Sequence, residues 1–322
     1  MKVFKYILIC CFLFVISCGD SKVNNDNGSI KNENQNFNQY ITVLGIAQDA
    51  GYPQINCKKE CCTRYFNELE SKKLVSCLGL IDTMAQKKWL FDATPDIIEQ
   101  TNVLNKQHLS NDNVIDGIFL THAHIGHYTG LMQLGREALG AKNIPVFTMP
   151  RMKSYLEKNG PWSQLINLKN IELQSLSNDS TILLNKSLKV TPFIVPHRDE
   201  YSETVGYKIE GNSKSAIFIP DIDKWDTWER SIIDEVKKVD YAFLDASFFR
   251  DGELERDMSK IPHPFTTQTT SLFQNESMET KNKIYFIHFN HTNPTIRDSH
   301  PLKDSIQSLG FNFAKQGDNF EL

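Results

Sequence analysis

The chain is short of cysteine, of net charge and of long apolar runs. Seven cysteines in 322 residues are too few for a disulfide scaffold, and 16 Gly with 12 Pro exclude a collagenous or low-complexity chain. A formal net charge of −4 gives no electrostatic reason to expect nucleic acid as a partner. The apolar run from Tyr6 to Ile16 is too short to cross a bilayer, which takes roughly 20 residues. What is there is an ordinary globular composition, 40% hydrophobic and 11% aromatic, long enough to bury a substantial core.

Lys2 and Lys5 precede that apolar run, the charged-then-apolar order of a secretory signal. It closes on Val15-Ile16-Ser17-Cys18, which resembles a bacterial lipobox. The resemblance implies a signal peptide over 1–17 and a lipidated Cys18. The protein is then exported and anchored to a bacterial membrane, on its periplasmic side or at the cell surface. A plain secretory peptide or an uncleaved anchor is the alternative. Residues 18–39 are Asn-rich and polar with little to bury, and read as a flexible tether. The remainder, 40–322, shows no repeat and no linker and reads as one domain.

Within it, β-branched and aromatic runs predict strands over 41–47, 88–93, 116–122, 144–149, 189–197, 204–211, 215–221, 241–247 and 283–289. Helical periodicity falls over 96–107, 128–140, 150–159, 226–239 and a stretch starting near Pro264. Strands are grouped between helices rather than alternating with them, which favours a layered α/β sandwich over a doubly wound sheet. Four strands run apolar and then finish on His or Asp: DGIFLTHAH, VTPFIVPH, AIFIPD and IYFIHF. A sheet buried on both faces tolerates polar groups only at its strand ends, so these endings predict a convergent site.

Thr121-His122-Ala123-His124-Ile125-Gly126-His127 is the most informative segment. Imidazole is a common zinc ligand, and residues i and i+2 leaving a strand point the same way, so His122 and His124 can share one ion. His127 then faces a neighbouring position. A single pair is compatible with a structural role, whereas three histidines this close favour a metal.

The segment resembles the His-x-His-x-Asp-His signature of the metallo-β-lactamase-fold hydrolases, and further motifs follow in that family's order. Asp92 in WLFDATPD resembles the aspartate that orients the histidine loop. His197 in FIVPH, Asp221 in IFIPD and His288 in YFIHF resemble the remaining ligands. Within the fold, residues 43–57, 91–100, 127–140 and 287–294 are similar to the pyrroloquinoline quinone biosynthesis protein B group and to phosphonate-pathway cyclic phosphodiesterases. The resemblance implies a four-layer αβ/βα sandwich. One catalytic zinc would be held by His122, His124 and His197, with Asp221 bridging to a second held by His127 and His288; iron or manganese are other possible occupants. Gly126 is the departure, standing where the signature has a metal-binding aspartate. Either the second position binds weakly, or Asp223 or Asp199 substitutes, or one ion suffices. If the missing ligand is the limitation, Gly126→Asp should raise affinity there.

Cys57, Cys61 and Cys62 can supply most of a tetrahedral zinc shell, and the relatives' arrangement implies His291 as fourth ligand of a structural zinc. A disulfide between two of the three is the alternative in an exported protein. Cys77 reads as buried and apolar. Asp245 is expected behind a metal-binding histidine or as a simple cap, and His263 as a proton donor in the pocket or an exposed loop residue. Arg136 and Glu137 read as substrate-lining or as a solvated pair, Trp162 as core packing, and His108 and His300 as surface.

Together these readings predict a lipid-anchored hydrolase, using a metal-bound hydroxide on the ester, phosphodiester or amide of a small molecule, with Asp221 and His263 in catalysis. An oxidative or accessory role in quinone-cofactor biosynthesis, or a catalytically silent metal-binding protein, are the alternatives.

Overall fold

Five- to seven-residue apolar runs form strands because branched and aromatic side chains pack well on a pleated surface. The computed structural model describes residues 37–322, so the signal segment, Cys18 and the tether up to residue 36 lie outside the described residues. In chain order the strands are β1 (Gln39–Gly45), β2 (Cys77–Asp82), β3 (Lys87–Phe91), β4 (Gly117–Phe119), β5 (Ile144–Thr148) and β6 (Ile171–Ser175). There follow β7 (Ile182–Leu183), β8 (Lys189–Ile194), β9 (Val205–Glu210), β10 (Ser215–Ile219), β11 (Tyr241–Asp245), β12 (Ile284–Ile287), β13 (Asn312–Phe313) and β14 (Asn319–Glu321). One sheet has the order β14-β1-β2-β3-β4-β5-β6 and the other β13-β12-β11-β10-β9-β8-β7.

Each sheet is antiparallel in one half and parallel in the other. Pairing is antiparallel from β14 to β3 and parallel from β3 to β6. In the second sheet it is antiparallel from β7 to β10 and parallel from β10 to β13. Two antiparallel steps restore direction, so β1, β3 and β4 leave their sheet at one edge, as β8, β10, β11 and β12 leave theirs. Polar residues collect at that shared edge.

The sheets face each other across a core in which Ile41, Leu78, Phe91 and Phe119 meet Val190, Tyr207, Phe218 and Phe243. Phe119 stacks on Phe91 at 5.2 Å and on Phe147 at 4.3 Å, with Tyr207 edge-on to Phe91 at 5.3 Å. Each ring contributes roughly 1.5–3 kcal/mol through burial. Helices cover the outer faces, with Ile97, Leu131, Met152 and Leu165 against the first sheet and Ile232, Val236 and Ile306 against the second. This is the αβ/βα sandwich of the metallo-β-lactamase type.

Several segments differ from the sequence expectation. Gln39, expected in the tether, is already strand, and its amide donates to Asp82 at 2.7 Å. Over 96–107 the helix ends at Val103 and continues as a wider π-helical turn, Leu104–His108. Over 128–140 a short helix, Ile125–Tyr128, gives way to a 3₁₀ segment, Thr129–Leu134. Gly130 pins that segment to the end of β3: its N–H donates to Ala93 at 2.9 Å, and a Cβ there would meet Thr94 O at 2.1 Å. Over 226–239 only Ile232–Lys237 is α-helical, capped by Ser231, whose hydroxyl accepts from Asp234 N at 3.3 Å.

Candidate metal centre

The structure brings His122, His124 and His197 together at the shared edge, with one nitrogen of each within 4.8 Å of the others. His122 and His124 leave β4 on the same side, Nε2 of the first 2.8 Å from Nδ1 of the second. Thr121 Oγ1 meets His122 Nδ1 at 3.0 Å, and Glu200 meets the outer nitrogen of His124 at 3.3 Å. Thus each ring is oriented from behind while the other nitrogen faces inward. Burial, together with the neighbouring His127, pushes the His122 pKa well down, and burial takes that of His197 down to about 4. Both imidazoles are therefore neutral at pH 7 and able to bind a cation through a lone pair.

A second group is formed by Asp49, His127, Asp221 and His288. Asp221 lies between the two, its carboxylate 2.9 Å from His127 Nε2, 3.1 Å from His288 Nε2 and 3.6 Å from both His122 and His197. Burial works to raise the Asp221 pKa, but the imidazoles of His288 and His197 outweigh it and hold it well below the carboxylate range. Asp49 was not foreseen in this role. The two acids weighed as substitutes for the missing aspartate at position 126 are elsewhere: Asp199 accepts from Thr204 Oγ1 at 2.8 Å and Asp223 from Lys224 N at 2.7 Å. Neither joins a potential ligand group.

Asp49 Oδ1, His127 Nε2, both ring nitrogens of His197, Asp221 Oδ2 and His288 Nε2 are buried and form no hydrogen bond. An unpaired buried polar atom costs about 1–3 kcal/mol, and orphans are few in native proteins. Six at one edge, all of ligand type, fit a bound cation. Asp92 Oδ2 lies 2.7 Å from His127 Nδ1, which fixes a proton on that nitrogen and turns Nε2 toward Asp221 and Asp49, where a bound cation would take the place of a second proton. Burial alone would lower the His127 pKa. The carboxylates of Asp92, Asp221 and Asp49 instead raise it, and the same field attracts a metal cation.

Asp92 and Asp245 both stand behind histidines. Asp92 also accepts from Thr121 N at 2.8 Å and from its hydroxyl at 3.0 Å, locking the start of the histidine loop. Asp245 meets His263 Nδ1 at 2.7 Å and accepts from Ser247 Oγ at 2.8 Å; that hydroxyl meets His288 Nδ1 at 2.9 Å. Asp92 and His288 hold φ of 72° and 66°, left-handed values uncommon for non-glycine residues and concentrated at functional sites. His263 is buried rather than an exposed loop residue, its Nδ1 3.3 Å from Asp221. Burial opposes its charged form, but Asp245 outweighs this and raises its pKa.

The cysteines form a separate group. Cys61 and Cys62 sulfurs lie 3.6 and 3.4 Å from His291 Nδ1, and Cys57 Sγ lies 3.9 Å from Cys61 Sγ. All are free thiols, and the 3.9 Å between the Cys57 and Cys61 sulfurs is far from the roughly 2.05 Å of a disulfide, so the disulfide alternative is not what the structure forms. The group joins the loop after β1 to the loop after β12 and can hold one tetrahedral ion.

With this geometry in view, comparison with known proteins is decisive for the family. Residues 87–316 match the β-lactamase superfamily domain. The chain belongs to the β-lactamase superfamily. It is 23% identical over 308 residues to coenzyme PQQ synthesis protein B of Gluconobacter oxydans, covering 88% of this chain and 98% of that one. Its fold is similar to the crystal structure of Zn²⁺-bound PqqB from Methylobacterium extorquens, with a TM-score of 0.72, 20% identity and coverage of 88% and 100%. It also resembles a diphosphatase from the PhnP family, with a TM-score of 0.62, 22% identity and coverage of 88% and 97%.

Other residues of this superfamily member keep to structural duties. Cys77 is buried within β2. Trp162 packs on Tyr128 at 4.9 Å, and Arg136 pairs with Glu137 at 2.9 Å on an exposed face. Two residues read as surface are not free there. His108 is half-buried against Tyr40 OH at 3.1 Å, and His300 accepts from Leu302 N at 3.2 Å as a helix cap.

Proposed function

We propose that the protein is a metal-dependent hydrolase of a small anionic substrate, with a phosphodiester as the first candidate. The observation carrying this reading is the pair of adjacent ligand groups with Asp221 set between them, and the unpartnered atoms of Asp49, His127, His197, Asp221 and His288. The imidazole-rich donor set suits zinc at both positions. Held by those residues, zinc would lower the pKa of bound water to about 7 and polarise a phosphoryl or carbonyl oxygen.

The chain's own residues supply the rest. Beside the centre is a cavity of about 420 Å³ lined by Gln48, Arg198, Arg256, Lys260, His263 and Asn290, within the range of small-molecule sites. Arg198, Arg256 and Lys260 at its wall outnumber the one carboxylate there, Asp257, which favours an anionic substrate over a neutral ester or amide. His263 stands between this cavity and Asp221, held through Nδ1 by Asp245, with Nε2 turned toward Gln48 at 3.5 Å. It is placed to deliver a proton to a departing alkoxide. A structural zinc at Cys57, Cys61, Cys62 and His291 belongs to the same reading.

The test is turnover of bis(p-nitrophenyl) phosphate against p-nitrophenyl acetate and a lactam panel. The diester is expected to be preferred, and His263→Gln to lower kcat by about 10²–10⁴-fold at unchanged zinc content. No turnover of any substrate with zinc, iron or manganese loaded would leave the second reading, an accessory role in coenzyme PQQ synthesis. The curated relative favours that reading.

A further inference from the structure

The superfamily signature has a carboxylate where this chain has Gly126, yet the second ligand group contains two carboxylates, Asp221 and Asp49. We propose that Asp49, from the loop after β1, replaces the carboxylate missing at position 126, and that glycine stands at 126 because any side chain there would displace Asp49. The proposal rests on the metal-centre reading above and adds to it a ligand from a different part of the chain.

Space is the first argument. A Cβ on Gly126 would lie 2.4 Å from Asp49 Oδ1, 2.5 Å from its Cα and 3.0 Å from its Cβ. Asp49 thus fills the volume that a side chain at 126 would enter, and the closest obstacles include backbone that cannot swing away. Conformation does not demand the glycine: Gly126 sits in a short helix, outside the left-handed region.

Direction is the second. Asp49 Oδ1 is buried, makes no hydrogen bond, and lies 3.2 Å from His127 Nε2. The side chain as a whole is only 28% exposed. The loop is fixed from behind, because Gln48 N donates to Phe289 O and Phe289 N to Ile46 O, each at 2.8 Å. Asn290 Nδ2 donates to Gln48 Oε1 at 2.6 Å. Residues directly following His288 therefore position the residue directly preceding Asp49, so the two ligands are set by one backbone junction. This reverses the sequence expectation for Gly126→Asp: the new side chain would collide with Asp49 rather than fill a gap.

The full-length chain, loaded with zinc by dialysis and counted by mass spectrometry, tests this directly. About three ions are expected, two at the His/Asp centre and one at the cysteines. Asp49→Asn, nearly isosteric, is expected to weaken one ion by at least about tenfold in competition with a chromophoric chelator. Gly126→Asp should weaken the same ion, and Gly126→Ala, which adds only the obstructing Cβ and no ligand, should weaken it as well. Cobalt absorption of the same variants gives a second readout of the shell. If Asp49→Asn keeps all ions at unchanged affinity, or Gly126→Asp alone binds more tightly, the Asp49 assignment is overturned while the metal reading stands. A wild-type chain holding zinc only at the cysteines overturns both.

Discussion

A carboxylate three strands away from its usual place shows how a site constrains residues without constraining their order. Asp49 was legible in principle, since ITVLGIAQD runs apolar and ends on an acid like the four runs that flagged the other ligands. Nothing in a linear pattern, however, says that position 126 and position 49 compete for one volume; that is a fact of packing. Lys303 is a second residue whose behaviour only the fold reveals. It is 5% exposed, its ammonium donates to Arg297 O at 2.9 Å, and burial, with Lys315 nearby, pushes its pKa down to about 8. Below pH 8 the lysine is charged in both folded and unfolded chains, and the folded one bears the burial cost. Between about 8 and the unfolded value near 10.4 the unfolded chain binds more protons, so stability from this group rises with pH. Lys303→Met is therefore expected to stabilise by about 1–2 kcal/mol at pH 7 after losing one hydrogen bond, and by much less at pH 10. Urea melts at the two pH values would reject this if the gain were equal or larger at pH 10.

Among the elements, strands with strong local patterns were readable and those defined by neighbours were not. β3, β5, β8, β10, β11 and β12 are β-branched or aromatic runs and lie where sequence places them. β2 is buried along its whole length, and its CLGLID lacks the alternation that marks a half-buried strand. β13 and β14 span only Asn312–Phe313 and Asn319–Glu321, and exist because β12 and β1 offer them an edge. The short helix Glu60–Phe66 is also poorly signalled, its ECCTRYF being rich in weak helix formers, and it is set by burial of Cys62. The cysteine group ties that helix to the loop after β12. Cys61→Ser is expected to remove one zinc per chain and lower the melting temperature by several degrees, with the His/Asp centre still loaded. Unchanged zinc content in that variant would show that the thiols hold no ion.

At the scale of the whole molecule, both ligand groups are drawn from the two sheets together. His122 and His124 come from the first sheet and His197 from the second, just as Asp49 and His127 face Asp221 and His288. An ion at either position would thus cross-link the sheets at their shared edge. Free zinc at 100 times its dissociation constant should add about 2.7 kcal/mol per site, and strong chelation should remove it. For a chain of this size that is a melting shift of roughly 4–5 °C per site, measurable by differential scanning calorimetry. A melting temperature indifferent to zinc, with binding verified, would contradict the cross-link.

The hydrogen bond from Asn290 to Gln48 joins residues 242 positions apart, and the ligands on either side of it are almost as distant. Closing so long a loop carries an entropic cost that nearer contacts must first offset, so this junction belongs to the last stage of folding. No fragment lacking β1 or β12 can assemble the centre, and a nascent chain does not possess it until nearly the whole sequence has been made. An ion bound at this centre would therefore report that both ends of the chain are in place.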